Sequence, residues 1–450
     1  MYMSRRNGRS RRGVIALGIA TVLAVSGALA GCTSSTPSQT TSAQASNTLP
    51  ASESAQIKTT VTAAMKLASA SGAIVGVWAP WAGDYTAGLG TTTAKGKTPV
   101  NVDMAWRIGS VTKPMTCTVL LSLAQKGTVS LDDPVTKYLP RLVGIDDLKL
   151  GQLCQNTSGL GDYEGALAPQ FVDNPLRSYV PLELVSDGMG EPRAGAPGEK
   201  WSYSNAGYIL LGMALKAATG KDWQTLYADE VFGPLGMSAT TLPSGTSIPG
   251  SHLHGYATSL DAVTGDPKCG TVIDDTAQAP SASWTAKGVV STLADLKTFG
   301  QSFAKSSLLD GATKKAAWDA VPLGTAVAAW QKYGMGGVEL GPMRGHDGEV
   351  PGYITSVLSD PTSGLTVIVM LNNSTSGAAY AQSLAMQLAA IAAGFKPASG
   401  QKAPSISLPW TADAAAATLD QLAVCRPAGS SPAPKPAAAK GAAYQPLPSN

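Results

Sequence analysis

Strand-like segments stand near both ends of this chain, while helical and turn segments fill its middle. Ala73 to Trp78 is a continuous apolar run rich in β-branched residues. Gly83-Asp84 punctuates it, and Tyr85 to Gly88 returns as a second run, the pattern of a hairpin. Much later, Val350 to Val357 and Leu365 to Leu371 read as strands around the turn Asp360-Pro361-Thr362-Ser363-Gly364. Ile57, Val61, Ala64, Met65 and Leu67 recur near helical spacing, which predicts a helix from Ser54 to Ala70. Gly207 to Thr219 predicts another, stopped by Gly220, and Ala378 to Ala393 a third. Strands from both ends and helices from the middle imply an α/β (α+β) fold. Its antiparallel sheet would be flanked by helices and carry an inserted helical lobe, roughly residues 110–284. A site would lie where the lobes meet, a usual place for pockets.

Ser110-Val111-Thr112-Lys113 sets a hydroxyl and an amine one helical turn apart, on one helix face. A serine in a first helical turn also has free backbone N–H groups beside it, able to stabilise an oxyanion. Alone the motif also describes a helix cap followed by a solvated lysine. Ser302-Phe303-Ala304-Lys305 repeats it by chance. Order and company separate the two. Trp201-Ser202-Tyr203-Ser204-Asn205 follows, the one Y-x-N in the chain, and then Gly345-His346-Asp347-Gly348-Glu349, the one H-x-G.

These three motifs in this order resemble the serine penicillin-recognising enzymes, whose sets read S-x-x-K, Y-x-N and K-T-G or H-x-G. The likeness is to class C β-lactamases, D-alanyl-D-alanine carboxypeptidases and related esterases, and covers roughly residues 55 to 395. Leu131-Asp132-Asp133-Pro134, Thr157-Ser158-Gly159-Leu160 and Val290-Ser291-Thr292-Leu293 fit the same family's connecting segments. The resemblance implies Ser110 as nucleophile, with Lys113 and Tyr203 sharing its activation. An ammonium at Lys113 would favour Tyr203 as phenolate, and which of the two is the base stays open. Asn205 would orient Lys113 and bind the substrate amide. His346 would begin an edge strand lining the pocket, and it is ordinarily neutral near pH 7. Gly348 would let substrate approach, and the N–H groups of Ser110 and Glu349 would form the oxyanion hole. Asp347 stands where carboxylate-gripping relatives carry Thr or Ser, so Asp347 and Glu349 are expected to repel an anionic substrate, with Arg344 compensating. Gln155-Asn156 departs from the Thr-His expected before Thr-Ser-Gly.

The N-terminus reads as an export signal. Five arginines precede an apolar stretch from Val14 to Ala30, and Leu29-Ala30-Gly31-Cys32 resembles a lipobox. Residues 1–32 would then be a signal peptide, with Cys32 lipidated and the protein held on the outer face of the cytoplasmic membrane. Residues 33–54 would be a disordered tether, residues 55–400 the catalytic domain, and 401–450 an extension disordered from about 426. Without the leader, 33 − 5 = 28 basic residues face 30 acidic ones, a net charge of −2. No basic stripe survives for nucleic acid. Setting Cys32 aside leaves four cysteines, an even number for an oxidising compartment. The resembled fold favours Cys117–Cys154 and Cys269–Cys425, with buried thiols as the alternative for the first pair. No cysteine or histidine spacing suggests a metal, and no cofactor is expected.

Two readings follow. One is a serine hydrolase acting on a peptidoglycan stem peptide, a β-lactam or an ester through an acyl-Ser110 intermediate. The other is an envelope lipoprotein that binds such ligands without turnover. A binder has no need of Ser110, Lys113, Tyr203 and Asn205 together.

Overall fold

A computed structural model describes residues 48–261, 266–325 and 327–425. Helix α1 (Ala51–Leu67) leads into strands β1 (Gly72–Ala79) and β2 (Gly83–Gly90). Helices α2 (Thr112–Gln125), α3 (Asn205–Thr219) and α4 (Leu293–Lys305) follow. Then come the strands β3 (Val321–Pro322), β4 (Gln331–Tyr333), β5 (Val338–Leu340), β6 (Met343–Val350), β7 (Tyr353–Ser359) and β8 (Thr366–Leu371). Helices α5 (Ala378–Ala393) and α6 (Ala412–Gln421) end the described chain. The eight strands make one antiparallel sheet in the order β2-β1-β8-β7-β6-β5-β4-β3.

Both faces of the sheet are covered, which explains the unbroken apolar run of β1. Its side chains alternate between two cores. Ala73, Val75 and Val77 join the core that holds residues of α1, α5 and α6, while Ile74 and Trp78 join the core of the helical lobe. The lobe leaves and re-enters the sheet side at one small ladder, where Trp106 pairs with Ser291 and Arg107 with Val290. Inside it, α3 is capped at both ends. The Ser204 hydroxyl accepts from the Gly207 N–H, and Gly220 takes the left-handed conformation at φ 68°.

The predicted Val350–Val357 strand is two strands. A tight turn at Pro351-Gly352 breaks it, with Gly352 at φ 93°, so Val350 ends β6 and Tyr353 opens β7. Apolar residues on both sides of that turn hide it in the pattern. The first helix starts at Ala51, so residues 51–54 of the expected tether are helical. The domain also runs beyond residue 400, because α6 buries Ala415 and Leu419 in the same core as α5. Cys117 is joined to Cys154 and Cys269 to Cys425, at Cα separations of 5.8 and 5.6 Å. The expected leader, the Cys32 anchor, most of the tether and the tail after 426 lie outside the described residues. Among the described residues no helix is long and apolar enough to cross a membrane.

Leu384 of α5 is fully buried against the sheet core. Leu384→Ala is therefore expected to lower stability by about 2–5 kcal/mol, read from urea or thermal denaturation. An unchanged midpoint would mean α5 does not pack as described.

Candidate active site

Ser110 sits in a single 3-10 turn, Gly109–Val111, that runs directly into α2. Two glycines press this turn against strand β6. Gly109 has φ 58°, and a Cβ on it would come within 2.5 Å of the Glu349 nitrogen. A Cβ on Gly348 would come within 2.2 Å of the Ile108 carbonyl oxygen and 2.8 Å of the Ser110 nitrogen. The backbone nitrogens of Ser110 and Glu349 therefore flank one contact between turn and strand.

Lys113 is completely buried, and the hydrogen bonds it donates go to uncharged groups. Its Nζ donates to Ser110 Oγ at 3.1 Å, Asn205 Oδ1 at 2.7 Å and the Ala286 carbonyl at 3.2 Å. It also lies over the Tyr203 ring, 4.5 Å from the centroid. Burial drives its pKa well below the usual lysine value, and the neighbouring ammonium of Lys287 lowers it further. Asn205 opens α3 and is itself held by carboxylates. Asp162 Oδ2 accepts from its N–H and Nδ2, at 3.1 and 2.8 Å, and Glu164 Oε2 accepts from Nδ2 at 3.1 Å.

Tyr203 donates its phenol proton to Ser110 Oγ at 2.7 Å. The loop carrying it is braced by Asn156, a left-handed residue at φ 55°. The Asn156 carbonyl accepts from Ser202 N–H at 2.7 Å, and its Oδ1 accepts from Ser204 N–H at 3.2 Å. Asparagine tolerates that backbone conformation better than most residues, which gives the unexpected Asn156 a physical role. Burial pushes the Tyr203 phenol well above its usual value. This corrects the expected phenolate, since the cost of burying an anion outweighs the nearby amine.

Strand β6 contributes His346, whose side chain is buried. It does not begin the strand, and it is not on a sheet edge throughout. β7 pairs along the whole of β6, whereas β5 pairs only with Met343, Arg344 and Gly345, so from His346 onward that second side of β6 carries no ladder pairing. His346 Nε2 meets the Tyr333 hydroxyl at 3.1 Å, and its ring centroid is 6.4 Å from that of Tyr203. Burial lowers its pKa to about 3, with the charge of Lys113 adding to the effect. Alternation along β6 sends Asp347 and Glu349 to the other face, against α5. Asp347 Oδ1 accepts from Gln382 Nε2 at 3.1 Å, and Glu349 Oε2 accepts from the Ala378 N–H at the start of α5 at 2.9 Å. Burial raises both carboxyls, Asp347 to about 6. The expectation that these two carboxylates guard the substrate pocket is thereby corrected. Arg344 is also committed elsewhere. Its guanidinium binds Glu339 at 3.0 Å and the Ala304 carbonyl at 3.1 Å, and stacks on Trp318.

Asp162, Glu164 and Lys287 belong to the site, and the motifs do not reveal them. Lys287 Nζ contacts Glu164 Oε2. Both line a small pocket with Phe171, Tyr179, Val350 and Pro351. The only local signal is two acids two residues apart, directly after Thr157-Ser158-Gly159-Leu160. Other motifs fall away. Ser302 bonds to Ser307 while Lys305 is exposed, and Trp284 packs edge-on to Trp223. Among the described residues no cluster of His, Cys, Asp or Glu could hold a metal.

A serine hydroxyl bonded at once by an amine and a phenol, beside two backbone nitrogens, suits acyl transfer. The β-lactamase family model matches residues 57–392. The chain belongs to the β-lactamase family of serine hydrolases. It is 26% identical over 292 residues to penicillin-binding protein 4* of Bacillus subtilis (strain 168), covering 61% of this chain and 62% of that one. It is 34% identical over 174 residues to a D-aminopeptidase of Cereibacter sphaeroides, covering 37% of this chain and 31% of the relative. The chain thus spans less than two thirds of either relative. Among solved structures, a D-stereospecific amidohydrolase from Streptomyces sp. superposes with a TM-score of 0.61 at 26% identity, covering 70% of this chain and 94% of that one.

Two measurements test this geometry. The His346 imidazole of this β-lactamase-family domain is expected to stay neutral at pH 5, well below the usual histidine value near 6.5. NMR of labelled histidine reads this directly, and a protonated ring at pH 5 would contradict the burial described. Because the folded value is depressed, stability tied to His346 is present above about 6.5 and is lost as the pH falls toward the folded value. Separately, Gly348→Ala should force β6 off the Ser110 turn and slow acylation by about 10²-fold or more, the scale of one lost oxyanion donor. Burst kinetics with a chromogenic acyl substrate would show it, and an unaltered burst rate would remove the contact from the mechanism.

Proposed function

We propose that this chain is a serine amidohydrolase that cleaves an amide of a D-configured amino acid through an acyl-Ser110 intermediate. The observation that carries the reading is the shared hydroxyl. Ser110 Oγ is hydrogen-bonded at once by Lys113 and Tyr203, in a setting that favours a neutral amine and a neutral phenol. The names of the relatives support the D-amide: a D-aminopeptidase and a D-stereospecific amidohydrolase. The side chains of Asp347 and Glu349 turn to α5, so they give no reason to exclude a peptide with a free carboxylate.

The chemistry runs through these groups in turn. Lys113 Nζ takes the Ser110 proton as Oγ bonds to the substrate carbonyl carbon. The carbonyl oxygen becomes an oxyanion held by the N–H groups of Ser110 and Glu349. Tyr203 gives its proton to the amide nitrogen, the C–N bond breaks, and the amine leaves. The Lys113 ammonium then returns a proton to the Tyr203 oxygen, which leaves the acyl-serine with both helpers neutral. Water resolves the ester by the reverse proton path. Asn205 holds Lys113 in register, and Tyr333 holds His346. On this reading the protein works outside the cytoplasmic membrane, held by lipid on Cys32. Cys32→Ala should move it from the membrane fraction to the soluble fraction.

The test is a substrate panel for the exported form and for Ser110→Ala and Tyr203→Phe. It contains D-alanyl p-nitroanilide, its L-isomer, a peptide ending in D-Ala-D-Ala, a p-nitrophenyl ester and a fluorescent penicillin. Turnover of a D-amide is expected, abolished in Ser110→Ala and reduced about 10²–10⁴-fold in kcat in Tyr203→Phe. Turnover of the ester alone would make the protein an esterase. Penicillin labelling without turnover of any substrate would make it a binder. Parental activity in Ser110→Ala would remove the site.

A further inference from the structure

The site contains a second lysine that takes no part in the proton path. Lys287 is the last residue of a short helix, Trp284–Lys287, whose neighbouring carbonyl, that of Ala286, accepts a hydrogen bond from Lys113 at 3.2 Å. Its Nζ contacts Glu164 Oε2, with side-chain exposures of only 11% and 14%. A pair so nearly dry is little screened by water. The same Glu164 oxygen accepts from Asn205 Nδ2 at 3.1 Å, and Asn205 Oδ1 accepts from Lys113 at 2.7 Å. Two amines thus stand at the ends of one relay, Lys287–Glu164–Asn205–Lys113, with Asp162 Oδ2 also bonded to Asn205 Nδ2 at 2.8 Å.

We propose that Lys287 is a positioning residue: by setting its ammonium against Glu164 it weakens the negative field that Glu164 and Asp162 lay on Lys113 through Asn205, and so favours the free amine, the form that can accept the Ser110 proton.

The groups around Lys113 set the balance. Asp162 and Glu164 approach through Asn205. Tyr203 and Tyr208 present their rings at 4.5 and 5.1 Å. Strand β6 brings His346 and Asp347, and the Trp284–Lys287 helix brings Lys287. Asp162, Glu164 and Asp347 favour an ammonium at Lys113. After burial, Lys287 is the strongest influence against it, ahead of any one of those anions. Lys287 itself is faced by Glu164, by Glu349 across the strand end and by Lys113. Removing its charge leaves Glu164 uncompensated a single side chain away from Lys113, and the proton then stays on Lys113. Asn205 acts as an insulator here. It passes hydrogen bonds between the carboxylates and the amine but keeps them from forming a direct ion pair.

This inference rests on the reading of Lys113 as the base, so its test needs a readout that no substrate enters. Lysine labelled with ¹³C at Cε gives one. The Lys113 signal is assigned by its loss in Lys113→Met, and its titration midpoint is followed by NMR in the full exported chain. In Lys287→Gln, which keeps a donor to Glu164 but no charge, the midpoint should rise by about one unit or more, while Lys287→Arg should keep the parental value. Adding Glu164→Gln to Lys287→Gln should bring the midpoint back down. The acidic limb of kcat/KM should move with the midpoint, costing about tenfold at a fixed pH for each unit above it, with KM little changed.

An unmoved midpoint in folded Lys287→Gln would overturn the proposal. So would a raised midpoint that Glu164→Gln does not reverse. If Lys287→Gln fails to fold, Glu164→Gln alone decides: a lowered Lys113 midpoint supports the relay, and an unmoved or raised one refutes it. A moving midpoint in a protein that hydrolyses nothing would uphold the relay while sinking the proposed function.

Discussion

The site depends on one amine taken wholly out of water. A charged lysine at full burial costs several kcal/mol unless an anion meets it, and here Asp162 and Glu164 connect to it through Asn205. The same dryness reaches the neighbours. It lifts the Tyr203 phenol, lowers His346 to about 3 and raises Asp347 to about 6. At rest the groups closest to Ser110 are therefore biased toward neutrality. In the proposed reaction, the charge that chemistry creates is met by backbone N–H groups and by short proton transfers, not by standing ions. Such a site reorganises little when the reaction begins.

The fold holds this arrangement by backbone contact more than by side chains. Gly109 and Gly348 let a helix-starting turn lie directly on a strand. Any side chain at either glycine would push the Ser110 turn off β6. Register does the rest. Along β6 the residues facing Tyr203 and those facing α5 alternate, so His346 reaches the site while Asp347 and Glu349 brace the helix behind it.

Much of this was legible in the chain. Spacing offered the Ser110–Lys113 pair and its chance repeat Ser302–Lys305 alike, and the order and uniqueness of Tyr203-x-Asn205 and His346-x-Gly348 separated them. The strand runs at either end foretold the sheet, because Ala73 to Trp78 could be so uniformly apolar only if both its faces were covered. What stayed hidden depended on register or on long-range contact. Asp347 looked like a gatekeeper because a motif has no faces until a strand supplies them. Glu164 and Lys287 lie far apart in sequence and share no spacing that marks them as partners. The Pro351-Gly352 turn was masked by hydrophobic residues on both sides, and Tyr203 looked like an anion because text shows a neighbouring lysine but not how dry the place is.

The sheet order has a consequence for how the molecule comes into being. Strand β1 pairs with β8, and the Gly72 N–H bonds to Asn372 Oδ1 across a separation of 300 residues. The central strands cannot close until almost the entire polypeptide is available. Contacts of such long range form slowly, and partly made sheets expose sticky edges in the meantime. The sheet of this chain is therefore completed late, when the last strand seals against the first.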